Sequence, residues 1–210
     1  MTGLGADRNA AKGAPSFAGG RTADRQRRFL RFSHIFASVV KDILEVQFLR
    51  EVCSDPLALS QFHLLKVIAV NGDHHVGEMA DFLGVSRPAA TKNIDKLERL
   101  GLILRAPCKG DRRATVLSPS PKGRRLVRKY EELKARRLTP VLESFECSDL
   151  DLLSNLLERF ALRLIEQEDA KGGLCLRCAA YRDIHCPVGR IRGGCPYEQT
   201  HRERGHSEEA

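Results

Sequence analysis

Four thiols near one end of the chain and a dense run of positive charge in its middle are the features of this sequence that could do chemistry. The thiols are Cys175, Cys178, Cys186 and Cys195, spaced C-x2-C-x7-C-x8-C, four within 21 residues. The surrounding segment, which opens at Gly172-Gly173, is too poor in apolar residues to fold by burial alone. Its spacing predicts a metal-nucleated module in which binding energy supplies the folding energy. Zinc accepts four thiolates in a tetrahedron, but its structural sites usually draw on two close-spaced pairs, and only Cys175 and Cys178 form one here. An iron–sulfur cluster also takes four thiolates, and a proline directly after a ligand, as at Cys186-Pro187 and Cys195-Pro196, is a ferredoxin-type feature that leans toward the cluster. Both alternatives stay open. His185, His201 and His206 could each replace one cysteine in a zinc site, although an exposed tail histidine is the commoner role of each. A redox disulfide between Cys175 and Cys178 ranks third, because that use normally sits in a βαβ context this segment lacks. Cys53 and Cys147 read as small buried apolar residues, and Cys108, beside Lys109, has no partner cysteine for an oxidation sensor.

The positive charge is local. Residues 87–129 hold 13 Lys and Arg against 3 Asp and Glu, a charge of +10 in a chain whose net charge is +8, which leaves −2 for everything else. Any one lysine taken singly is ordinarily a solvated side chain, but so concentrated a field predicts a polyanionic partner. There is no glycine-rich phosphate loop, nucleophile elbow or HExxH pattern, so an enzyme is not expected. No stretch approaches the roughly 20 apolar residues of a membrane helix, and residues 1–20 lack a secretory apolar block, so the expectation is a soluble, cytoplasmic chain with no membrane partner. At 210 residues and 42% hydrophobic there is enough for one ordinary domain or two small ones.

The elements that must position these residues are mostly helical. Residues 1–22 read as a disordered basic tail, and residues 1–32 hold seven Lys and Arg against two Asp and Glu. From there Phe29, Phe32, Ile35, Phe36, Val39, Val40, Ile43 and Val46 recur at helical spacing until Ser54-Asp55-Pro56 stops them. Ser60 is expected to cap a helix carrying Phe62, Leu65, Ile68 and Ala69, which ends at Asn71-Gly72. A short helix over 77–83 leads to the turn Leu83-Gly84-Val85-Ser86, and Ser86 with Pro88 opens a helix that buries Ala90, Ile94, Leu97 and Leu100 and ends at Gly101. Its other face carries Arg87, Thr91, Lys92, Asn93 and Lys96. Extended runs at 102–105 and 114–117 flank a basic tip and make a hairpin, or wing. Ser120 and Pro121 open a helix reaching toward Leu138, where Pro140 allows a kink or break, and Ser148-Asp149-Leu150-Asp151 resembles a capping box for a last helix with an apolar stripe of Leu150, Leu153, Leu157, Phe160 and Leu164.

Over roughly residues 30–167 the sequence resembles the MarR family of bacterial winged helix-turn-helix regulators. The residues that carry the likeness are Leu59-Ser60-Gln61-Phe62, Leu83-Gly84-Val85-Ser86, Leu97-Glu98-Arg99-Leu100-Gly101-Leu102-Ile103, the wing run Gly110-Asp111-Arg112-Arg113-Ala114, and Leu117-Ser118-Pro119-Ser120-Pro121-Lys122-Gly123. The resemblance implies a mainly α fold with a small β-wing, in which a helix over 23–58 and helices over 121–169 interlock two copies as a homodimer around winged helix-turn-helix domains at 59–120. It also implies a transcriptional regulator, read as a repressor, on a double-stranded DNA operator. A two-fold dimer presents two helices about 34 Å apart, so that operator should be near-palindromic. Base reading is expected from Arg87, Thr91, Lys92 and Asn93 with Lys96 on the same face, and Arg113 is expected in the minor groove, held by Asp111. Arg112, Lys109, Lys122 and Arg124 are expected on phosphates. Residues 170–200, with the four cysteines, and the tail 201–210 lie beyond the likeness. The metal there is expected to sense redox state or metal; if it is a purely structural zinc, a small-molecule effector would bind between the dimerisation and DNA-binding parts, in a pocket that His34, Phe36 and His63 could line, although core packing is the commoner role of each. A nonspecific architectural DNA binder is the competing class.

Protein purified without oxygen should contain either iron with acid-labile sulfide in proportion and a broad visible band, or one zinc per chain and no colour. Cys186→Ser should release that metal, and stoichiometric loss on a metal assay checks it; a wild-type chain with neither metal would contradict the module.

Overall fold

The computed structural model describes residues 20–71, 74–75, 79–80, 85–108, 115–168, 186 and 188. It divides into two compact units, Met1–Ile43 and Leu44–Ala210. In the first, helix α1 (Arg21–Val39) starts after Gly20, whose φ of +139° suits a residue without Cβ and whose carbonyl accepts from the backbone N–H of Ala23 and Asp24 at 3.0 and 3.3 Å. Along α1, Phe29, Phe32, Ile35, Phe36 and Val39 are all exposed, by 44 to 49%. The helical run expected from their spacing is present, but it does not stay an α-helix: Val40–Gln47 is a π-helical stretch of eight residues, and the chain returns to α geometry in α2 (Phe48–Val52). A π-turn inserts an extra residue into the ladder and so rotates the face that follows, a change that apolar spacing alone does not reveal.

The second unit is built around helix α3 (Leu59–Asn71), where Phe62, Leu64, Leu65, Val67 and Ile68 have no exposure. A helix apolar on all sides must sit in the centre of a core, and the two polar residues it carries there, His63 and Lys66, are accordingly paired. His63 Nε2 lies 3.4 Å from Glu45 Oε1, and Lys66 Nζ lies 2.5 Å from Glu131 Oε1 and 5.4 Å from the Tyr130 ring centre. The Ser60 cap is corrected: the cap lies two residues earlier, at Ala58, where the Phe62 N–H donates to the Ala58 carbonyl and the Gln61 side chain returns to the Ala58 N–H at 3.0 Å. Gln61 therefore supplies the back-reaching half of a capping box with Ala58 at the N-cap.

Helix α4 (Arg87–Arg99) buries Ala90, Ile94 and Leu97, as its sequence predicts, but leaves Leu100 half-buried, and Ser86 at its N-cap makes no side-chain hydrogen bond to it. Its other end is closed twice, by Gly101 N–H to the Glu98 carbonyl at 2.8 Å and Leu102 N–H to the Leu97 carbonyl at 2.9 Å, with Gly101 at φ +67°. These two bonds with a left-handed residue between them form a Schellman motif, and buried Leu97 and Leu102 supply its apolar pair. Leu102 thus belongs to the helix stop, and strand β2 covers Ile103–Pro107, antiparallel to β3 (Thr115–Pro119) from Ile103 opposite Pro119 to Pro107 opposite Thr115. A third strand that the sequence reading lacked, β1 (His74–His75), pairs with β3 at Leu117 and Val116, giving the order β1-β3-β2. Two residues are too few to show any alternation, which is why only the partner strand reveals it.

Helix α5 (Pro121–Leu142) is capped as expected: Ser120 Oγ accepts from Gly123 N–H at 3.0 Å. Pro140 does not end it, and the helix runs two residues further. Phe62 and Tyr130 pack with ring centres 4.6 Å apart, which seats α5 on α3, and the Tyr130 hydroxyl donates to the Leu44 carbonyl at 2.7 Å. Helix α6 (Cys147–Glu168) starts before Ser148; the N–H groups of Asp149 and Leu150 donate to the Glu146 carbonyl, so Ser148 lies in the first turn and is not the cap. Its apolar stripe is present and open: Leu152, Leu153, Leu156, Leu157, Phe160 and Leu164 are 38 to 57% exposed.

Two outcomes follow from this packing. A Cβ on Gly123 would lie 2.1 Å from the Leu102 carbonyl oxygen, so Gly123→Ala must push α5 off the helix stop and should cost about 1–3 kcal/mol in denaturant unfolding. Burial would raise the Glu131 carboxyl, but hydrogen bonds from Lys66 and Lys134 hold it below its ordinary value. A depressed carboxyl pKa stabilises the fold above the unfolded value and stops doing so as pH falls through the folded value, so stability should drop in acid and Glu131→Gln should flatten that drop.

Candidate nucleic-acid interface

The candidate surface begins with the exposed side of α4. Arg87 stands at its first position, Pro88 follows, and no acidic residue occupies the first turn, so the N-terminal end presents positive charge on top of the helix dipole. Arg87 and Lys92 are exposed and Lys96 is half-buried. Thr91 is half-buried and its hydroxyl donates back to the Arg87 carbonyl at 2.9 Å, while Asn93 Oδ1 accepts from Gln61 Nε2 at 3.3 Å. Because a backbone N–H fixes Gln61 Oε1 as an acceptor, Gln61 must offer its amide protons to Asn93, which leaves the Asn93 amide group as a donor. Thr91 is thus tied to its own helix and Asn93 to α3, whereas Arg87 and Lys92 are exposed.

Two acids on α4, Asp95 and Glu98, would repel a polyanion. Both are taken by one guanidinium: Arg105, on β2, bonds Asp95 Oδ1 through one terminal nitrogen and lies 3.2 Å from Glu98 Oε2 through Nε. This fork serves two purposes, joining the wing strand to α4 and cancelling the acids. Sequence reasoning counted Arg105 only as part of the positive run. The signal available was an Asp/Glu pair three residues apart on a helix followed by an arginine in the next strand.

The helix stop and α5 meet in a polar corner. Ser120 Oγ, which accepts from Gly123, also donates to the Gly101 carbonyl at 2.6 Å, and Ser120 N–H donates to the Leu102 carbonyl at 3.0 Å. Lys122 Nζ donates to Asp55 Oδ2 at 2.9 Å and to the Leu100 carbonyl at 3.0 Å, so this residue faces the end of α4. Arg124 is exposed, as are Arg125, Arg128 and Lys129 further along α5. Burial raises the thiol pKa of Cys53, which fits the apolar role read for it; Cys147, given the same role, is exposed instead, because it opens α6 on the open side of that helix.

Several expected positions lie outside the described residues: Lys109, Asp111, Arg112 and Arg113 of the wing tip, Gly84 of the turn, and Cys175, Cys178 and Cys195. Around the turn, Met79 and Ala80 are helical and buried, and Val85 N–H donates to the Ala80 carbonyl at 3.2 Å. Cys186 is half-buried. His34 and Phe36 are exposed and His63 is buried against Glu45. Among the described residues no three His, Cys, Asp or Glu side chains cluster as metal ligands, and no helix is long and apolar enough to cross a membrane.

The arrangement of α3, α4 and the paired strands β2 and β3 is that of known proteins. Residues 57–115 match the model of the MarR family. A MarR family protein from Bacillus stearothermophilus is 26% identical, with a TM-score of 0.51 over 70% of this chain and 99% of that one. RV1404 from Mycobacterium tuberculosis is 21% identical, with a TM-score of 0.56 over 70% and 97%. FabT from Streptococcus pneumoniae, solved in complex with DNA, is 19% identical, with a TM-score of 0.58 over 67% and 99%. The likeness to the MarR family is thus carried by the winged helix-turn-helix segment, residues 57–115, and the fold around it is that of these winged-helix proteins.

Proposed function

We propose that this chain is a cytoplasmic sequence-specific repressor, a regulator and not an enzyme, that binds a near-palindromic operator as a homodimer. The observation that carries the reading is the outward face of α4, where Arg87 and Lys92 project while Arg105 neutralises the acids on that helix. A helix so arranged can enter a major groove and discriminate among base edges, and exposed Arg124 supplies a phosphate contact. The DNA complex of FabT, a protein of the same fold, supports the mode of binding. Dimer formation is supported by the exposed apolar residues of α1 and of α6, each far more than a solvated helix carries. Operator affinity responds to the four-cysteine metal site at Cys175, Cys178, Cys186 and Cys195: a regulator needs two states, and a ligand that distinguishes them shifts the balance.

The reading is tested by titrating the protein, across a series of salt concentrations, against a duplex that the wild-type chain enriches from a randomised pool and against a random duplex. A regulator should prefer the enriched duplex by about 10³-fold or more, whereas an architectural protein should treat the two alike. In the same assay Arg113→Ala should weaken the enriched duplex by about 1–3 kcal/mol and relax preference in its flanks. Unchanged affinity would remove Arg113 from the interface.

A further inference from the structure

Lys122 sits where three segments converge. Its ammonium donates to Asp55 Oδ2 at 2.9 Å, in the turn that follows α2, and to the carbonyl of Leu100, the last residue before the glycine stop of α4, at 3.0 Å. Lys122 itself stands in the first turn of α5, whose next residue, Gly123, is pressed against the Leu102 carbonyl. Asp55 is anchored in its own turn, since its carbonyl accepts from Leu57 N–H at 2.8 Å and from the Cys53 thiol at 3.7 Å. One side chain therefore spans from the end of α2 to the end of the recognition helix. Pairing with a carboxylate cancels most of its field at a distance, and a lysine that caps a helix carbonyl has its donors directed inward.

We infer that Lys122 is a positioning residue for DNA reading, not a phosphate contact: it fixes the C-terminal end of α4 against the turn after α2 and so sets the angle at which α4 meets base edges. The inference rests on the proposed reading of α4 as the recognition helix. It deepens that reading by naming the bond through which α2 and α4 are joined. The two roles differ in sign at Asp55. If Lys122 touches phosphate, removing the acid frees the lysine and strengthens binding to any DNA. If Lys122 positions α4, removing the acid loosens the corner and weakens only the sequence-dependent part.

The test uses the full-length wild type, Lys122→Met, Asp55→Asn and the double variant, each titrated over a series of salt concentrations against the enriched duplex and a random one. Each single variant should bind the enriched duplex about five- to tenfold more weakly, and the double variant no more weakly than either, as for two residues acting through one contact. The random duplex should be bound as by the wild type, and the slope of log affinity against log salt should not change. A slope reduced by about 0.9 in Lys122→Met, with Asp55→Asn binding both duplexes as tightly as or tighter than the wild type, would overturn the inference and return Lys122 to the phosphate contacts. Additive losses in the double variant would also overturn it, because the two residues would then act separately. A pool from which the wild type enriches nothing contradicts the proposed function itself, and this role with it.

Discussion

The turn Leu100-Gly101-Leu102 is the constraint on which the DNA-binding unit depends. Within it the recognition helix must stop, the chain must reverse into β2, and α5 must pack close enough to be seated on α3. Gly101 permits the reversal through a positive φ, and the two Schellman bonds satisfy carbonyls that the helix end would otherwise leave bare. Ser120 and Lys122 then take the carbonyls of Gly101 and Leu100, and the missing side chain of Gly123 admits the carbonyl of Leu102. Three consecutive carbonyls are thus held by the N-terminal turn of another helix. The orientation of α4, and with it the aim of Arg87 and Lys92, is set at its far end.

From that corner the wing follows with little freedom. Leu102 is buried as part of the helix stop, so β2 begins at Ile103 and its register against β3 is set by Ser120 N–H bonding the Leu102 carbonyl just beyond Pro119. Arg105 falls on β2 opposite the last turns of α4, where one guanidinium can reach both Asp95 and Glu98. The chain carries a large local charge of +10 in this region, yet part of that charge is internal. Lys122 and Arg105 are matched by acids, whereas Arg87, Lys92 and Arg124 are exposed.

Much of this was legible in the residues. The apolar period of α4, the glycine after it, the Ser-Pro opening of α5 and the extended runs of the wing each follow a local rule, and the structure has them within a residue or two. Ser60 and Ser148 have the right residue type for a cap, but each helix begins earlier: the Gln61 side chain caps α3 at Ala58, and the Glu146 carbonyl accepts the first N–H bonds of α6. Strand β1 exists only because β3 offers an edge, and the π-helical stretch at Val40–Gln47 leaves no mark on an apolar spacing of three and four. The polar pairs His63 with Glu45 and Lys66 with Glu131 join separate segments, and neither segment announces its partner.

The central claim is that two recognition helices, each aimed by this corner, read one operator together. Hydroxyl-radical footprinting on the enriched duplex tests it most directly. The account predicts two protected blocks of like sequence, related by a two-fold axis and centred about 10 base pairs apart on one face of the DNA. A single block, or even protection along the whole duplex, would contradict it.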